Sequence, residues 1–296
     1  MGSSQSSPFS TAKSEGLNEP RDPMADFTPG FTDPVFETEE NSMGDILDYI
    51  TRRPVLSTLP SPPKRILLLS AHGLSTVPYL TRLFPRARIT CFTFFPAAII
   101  PNLSSNCELV SLDLVTSPLP FPSDFYDLII LRQINRALPS TRWPALLAET
   151  YRVCAPCGRV EILGKSPGGG KVGPHGQAVL EMFDQFHQFG QENYRAIDDL
   201  DVIIRQVGFS SPHHLTYQCP IGSWGGPGGE VLARLVRANN SMVVRALRRY
   251  AILHPTTAAS AMADELEIKS ELWTEEISCT ESYVMVHAHL AMKPLA

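Results

Sequence analysis

Several sets of residues in this chain have the types and spacing for chemistry. Cys154-Ala-Pro-Cys157 has the C-x-x-C spacing of a redox pair or of half a zinc site. A structural zinc site needs four ligands and no second C-x-x-C exists, so the pair also suits two small residues in a turn. Ser166 to Gly176, SPGGGKVGPHG, sets Lys171 behind three glycines. As a phosphate loop it fails, because Lys165 stands where the first glycine belongs and Val172 follows the lysine instead of Ser or Thr. It reads as a flexible loop over a pocket. His175 within it is either a general base or an exposed loop histidine. His213 and His214 have no evident third ligand, so no metal is expected there. His287 and His289 share one face of a strand by the two-residue period. Asp113 and Arg132 each end an apolar run, where a charge either meets a ligand or caps and pairs locally. There is no G-x-S-x-G and no acid/base constellation that stands out.

The elements that must position these groups centre on Pro63 to Pro96, PKRILLLSAHGLSTVPYLTRLFPRARITCFTFFP. Arg65–Leu69 is a short apolar run ending in small polar residues, which predicts a buried parallel strand. Ser70–Thr76 is the turn after it. Val77, Leu80, Leu83 and Phe84 follow at helical spacing, and Arg88–Phe94 is rich in β-branched and aromatic residues. Strand, tight turn, helix, strand opens a doubly wound α/β domain, where a nucleotide-like ligand sits in the turn after the first strand. Further strands are predicted at Leu109–Leu112, Tyr126–Leu131, Arg159–Leu163, His213–Tyr217 and Tyr283–Ala291. Helices are predicted at Ser140–Val153, Gln177–Phe189, Ile197–Val207, Glu230–Leu253 and Asp264–Thr274. Ser223–Gly229, SWGGPGG, reads as a second glycine-rich loop.

Length and composition set bounds. A chain of 296 residues, 43% hydrophobic, can bury a sizeable core. The formal net charge of −5 gives no bulk electrostatic reason for a nucleic-acid partner. Residues 1–40 hold eight acidic and two basic residues without apolar periodicity, and read as a disordered acidic tail. Residues 41–296 read as one domain. It opens with a helix from Asn41 to Arg53, where Ser42 and Asp45 have capping-box spacing, and carries a helical insertion near 174–190. No apolar run has the length of a membrane span and no signal peptide is evident, so the expected location is cytoplasmic, with the nucleus as an alternative. The six cysteines are expected to be reduced. The helix from Glu230 carries Arg234, Arg237, Arg245, Arg248 and Arg249, either a solvated face or a surface for acidic partners, the acidic tail among them.

Pro63–Pro96, the segment PLPFPSDFYDLIILR (118–132), WPALLAETYRVCAPCGRVEI (143–162), CPIGSW (219–224) and YVMVHAHLAMKP (283–294) together resemble class I S-adenosylmethionine-dependent methyltransferases. The resemblance is to the fungal secondary-metabolism branch with the LaeA-type regulators, and runs from about Pro63 to the C-terminus. It implies a mostly parallel, seven-stranded, Rossmann-like sheet with helices on both faces, S-adenosyl-L-methionine as cofactor and a small-molecule substrate. It also implies a cofactor site at Ser70, His72, Gly73, Thr93, Asp113, Leu114 and Arg132. In that family the first loop is an acid, one residue, then G-x-G-x-G. Here the acid position is Leu68, the glycine positions are Ser70, His72 and Leu74, and Gly73 falls one place out of phase. The ribose-holding acid at the end of the second strand is Thr93, while Asp113 stands where the family contacts the adenine amino group. Three functions follow from the resemblance: methyl transfer to a small secondary metabolite; a fold that has lost methyl transfer and shapes a substrate for another reaction such as cyclisation; or a regulatory scaffold with protein partners.

Overall fold

The computed structural model describes residues 55–70, 76–93, 104–110, 118–136, 138, 140–189, 197–253, 255 and 258–295. The acidic tail, the helix expected at 41–53, and the candidates His72, Gly73, Asp113 and Leu114 lie outside the described residues. The strands are β1 (Arg65–Ser70), β2 (Arg88–Thr93), β3 (Cys107–Val110), β4 (Tyr126–Arg132), β5 (Cys154–Gly170), β6 (Ser210–Pro220) and β7 (Tyr283–Met292). The helices are α1 (Val77–Leu83), α2 (Trp143–Val153), α3 (Pro174–Phe189), α4 (Leu200–Gln206), α5 (Gly226–Leu253) and α6 (Ala259–Ile277).

All seven strands join one sheet in the order β3-β2-β1-β4-β5-β7-β6. Neighbours from β3 to β5 pair in parallel, and only β7 runs against its two partners. The near-continuous apolar runs of β1 and β4 are explained by burial on both faces, as parallel strands require. Leu67, Leu69, Ile129 and Leu131 share a core with Trp143 and Leu147 of α2 and Leu200 and Ile204 of α4. The alternate set, Ile66, Leu68, Leu128 and Ile130, packs with Val77 and Leu80 of α1. The sheet is therefore doubly wound, as the sequence pattern predicts. A third core joins α3, α5 and α6 to Val284 and Val286 of β7.

Three expectations are corrected. The glycine run after the fifth strand is not a loop: β5 continues to Gly170, and Gly169 and Gly170 pair with Val284 and Tyr283. The Tyr283 carbonyl and ring occupy the space a Cβ would need at those two positions, so the glycines serve close approach rather than flexibility. The second glycine-rich segment also belongs to an element, because α5 starts at Gly226 with Pro227 in its first turn. Finally, α3 starts at Pro174, where the backbone N–H groups of His175 and Gly176 donate to the Glu276 carboxylate at 3.2 and 2.8 Å. That acid from α6 satisfies donors that a helix start leaves open and suits the positive end of the helix dipole.

Candidate functional site

Chain order steps outward from β1 to β2 and β3 on one side, then returns to β4 and β5 on the other. The reversal marks the carboxyl ends of β1 and β4, the place where ligands bind in open α/β sheets. The last residues of three adjacent strands form one row there: Ser70 pairs with Thr93 on one side and with Arg132 on the other. Three of the seven candidate residues are thus brought together by register alone. Ser70 and Arg132 are both buried. A surface ion pair, the common fate of a lone arginine, is not what Arg132 has.

Gln133, next along the chain, has φ 56. A non-glycine residue held there costs about 1–3 kcal/mol and persists only where its surroundings fix it. Here its N–H donates to the Leu163 carbonyl (2.7 Å) and its Oε1 accepts from the Lys165 N–H (3.2 Å). Asn135 adds a third tie, donating to the Lys165 carbonyl at 3.0 Å. Gly164 allows this approach, since a Cβ there would stand 2.5 Å from Asn135 Oδ1. Gln133 Nε2 is buried and has no hydrogen-bond partner among the described residues. The sequence carries no sign of the Gln133 backbone conformation or of its tie to β5.

Behind the row lies Glu161 of β5, fully buried opposite Ile130. Its carboxylate accepts the backbone N–H groups of Leu56 and Ser57 at 2.7–3.1 Å, pinning the segment before β1 onto the sheet. Burial raises its pKa above the usual carboxylate range, against the pull of those N–H groups and of Arg132. A raised folded pKa means that the native state holds the proton more tightly than the unfolded chain. The stabilisation is therefore complete below the unfolded value and is lost as pH rises through the folded one. We expect the stability of the native chain relative to Glu161→Gln to fall as pH rises from about 4.5. Urea melts of both proteins at a series of pH values check this; parallel curves would reject it.

Farther along the sheet, groups that lie apart in sequence meet. Ser166 Oγ lies 3.4 Å from Asp198 Oδ2, and His287 Nε2 lies 3.5 Å from Asp198 Oδ1. His289 Nδ1 is 2.8 Å from Asp201 Oδ1. His214, which has no evident third ligand by sequence, stands opposite His289 and 2.9 Å from His287. The expectation of no acid/base constellation is corrected accordingly. Antiparallel pairing of β6 and β7 makes the contacts of His214, and neither strand's sequence reveals that register.

Other singled-out groups resolve plainly. Cys154 is buried and its thiol is pushed up to about 12 by that burial, while Cys157 is exposed with φ 62. The two flank a bulge in β5, one thiol inside and the other outside. Lys171 pairs with Glu281 at the surface. The arginine-rich face of α5 meets its acidic partner on α6, where Arg248 pairs with Glu267 at 2.6 Å and Asp264 at 3.2 Å. A cleft of about 360 Å³ between these helices mixes both charges and lies away from the strand-end crevice. Phe183 packs into the core under α3, with Val179 and Met182.

No family model matches the chain, and no curated protein matches it. Solved structures do. The chain is similar to phosphoethanolamine N-methyltransferase 2 of Haemonchus contortus, in complex with phosphomonomethylethanolamine and S-adenosylhomocysteine: 12% identity and TM-score 0.48 over 86% of this chain and 57% of that one. It is similar to the [4+2]-cyclase SpnF at 14% identity and TM-score 0.45, over 86% of this chain and 82% of that one. It is also similar to human N-acetylserotonin methyltransferase in complex with S-adenosylmethionine, at 14% identity and TM-score 0.44, over 87% of this chain and 56% of that one. The chain thus spans little more than half the length of the nematode and human enzymes.

Proposed function

We propose that this chain is an S-adenosylmethionine-dependent methyltransferase-like enzyme that tailors a small-molecule secondary metabolite, in the cytoplasm or nucleus of a fungal cell. The observation that carries the reading is the row Thr93, Ser70, Arg132 at the strand-order reversal, in a seven-stranded sheet of the kind the sequence resemblance implies. Ser70, Thr93, Arg132 and Gln133 would line the bound cofactor from below. The sequence resemblance adds His72, Gly73, Asp113 and Leu114 to that set. When bound, S-adenosylmethionine supplies an electrophilic methyl group on a sulfonium. The protein's share is then chiefly to hold a nucleophile in line, which needs little acid/base help.

A second reading is favoured by Thr93, whose single hydroxyl stands where the resemblance implies a diol-binding carboxylate. It is a protein of this fold that has given up methyl transfer and uses the crevice for a cyclase-type reaction or for regulation. Mass spectrometry of ligands that co-purify, followed by calorimetry with S-adenosylmethionine, tests both. We expect S-adenosyl compounds in the crevice and saturable but weak binding. A folded protein that shows no binding at millimolar cofactor would eliminate the first reading.

A further inference from the structure

We propose that β6 and β7 carry a metal-binding site, formed by His214, His287 and His289, for a zinc-like first-row divalent cation. The inference does not depend on whether the chain transfers methyl groups.

The placement comes from the sheet. His287 and His289 lie two apart on β7, so their side chains leave the same face. His214 is directly opposite His289 in the antiparallel register, and Thr216 is opposite His287. Two ligands from one strand and one from its neighbour therefore rise from a single patch of a hydrogen-bonded ribbon. One ring nitrogen of each histidine lies within 4.8 Å of those of the other two. Imidazole nitrogens suit zinc and its first-row neighbours, and three histidines leave a position for water or another donor.

One outer nitrogen, of His289, is hydrogen-bonded as metal-bound histidines require, and a second, of His287, faces a carboxylate without a hydrogen bond. His287 turns Nδ1 toward His214 Nε2 (2.9 Å) and Nε2 toward Asp198 (3.5 Å). His289 Nε2 lies 2.6 Å from the Ile197 carbonyl, which can only accept, so this nitrogen carries the proton. Nδ1 of His289 then faces the Asp201 carboxylate at 2.8 Å, and two acceptors at that distance require a cation between or beside them. A proton or a metal ion meets that requirement. Asp198 Oδ1 is buried without a hydrogen-bond partner among the described residues, adding negative charge beside the rings.

The rings pack face to face, His214 on His289 at 4.2 Å and 16°, and on His287 at 5.0 Å and 29°. His214 is the least buried of the three and lies on the edge strand, so it is the ring that turns to admit the ion. Binding would tie β6 to β7 and to the turn before α4, which carries Asp198.

The test uses the full chain, dialysed against chelator and titrated with ZnCl2 by calorimetry and with CoCl2 by visible absorption. We expect one saturable equivalent, a nitrogen-ligand cobalt spectrum without a thiolate charge-transfer band, and a rise in melting temperature. His214→Ala and His287→Ala should each weaken binding at least about a hundredfold, and Asp198→Ala roughly ten- to a hundredfold. His213→Ala, one residue away and on the other face, should bind as the native chain does. His214→Ala lies on the exposed edge and guards against misreading a folding defect, with circular dichroism as the check. No saturable binding, a thiolate band, or full affinity in His214→Ala would each overturn the proposal.

Discussion

Thr93→Asp is expected to bind S-adenosylmethionine roughly ten- to a hundredfold more tightly than the native chain. Thr93 is the last residue of β2 and pairs with Ser70 at the crevice, so a carboxylate there starts from the correct strand end. A charged acceptor adds about 1.5–3 kcal/mol per hydrogen bond. Each ~1.4 kcal/mol is tenfold in affinity. Calorimetry on both proteins reads the difference directly. Tight binding by the native chain, with no gain from Thr93→Asp, would mean that other groups hold the ribose, and methyl transfer would become the stronger reading. If neither protein binds, the crevice serves a different ligand.

The largest expected loss of stability is at Trp143. It is fully buried at the start of α2, in the core shared by β1, β4 and α4. Trp143→Ala removes a large side chain from a packed site, which costs about 3–5 kcal/mol. Its indole Nε1 has no hydrogen-bond partner among the described residues. Trp143→Phe therefore discards an unmet donor together with some packing, and should recover most of the loss. Denaturant midpoints at constant m-value check both variants. A loss in Trp143→Phe as large as in Trp143→Ala would show that the indole makes a contact the ring packing does not explain.

What could be read from the sequence divides along physical lines. Apolar runs such as RILLL and LIIL need no partner to announce burial on both faces, so β1, β4 and the doubly wound sheet were legible. So was the row of strand ends, because strand ends follow from strands: Ser70, Thr93 and Arg132 do meet. Glycine misled where its purpose is contact. Gly169 and Gly170 look like a loop until Tyr283 is placed against them, and Gly226–Gly229 look like one until the helix is seen to start there. Long-range polar contacts were the least legible. Glu161 reads as one polar residue in a strand, and only the fold brings Leu56 and Ser57 to it. His214 and His289 are 75 residues apart, and a one-residue slip in the β6–β7 register would put them on opposite faces.

The position of β7 bears on how the molecule is made. It follows every other strand in the chain, yet it lies between β5 and β6. Gly170 ends β5, and its partner Tyr283 lies more than a hundred residues later. At about 5–20 residues per second, a nascent chain keeps that edge of β5 open for on the order of ten seconds. Once β6 has been made, it has no strand to join for the rest of that interval, and its backbone donors and acceptors face solvent or a chaperone. Completion of the sheet is a single late insertion that satisfies two edges at once, so the interval before it is when the nascent protein is most exposed to pairing with another chain.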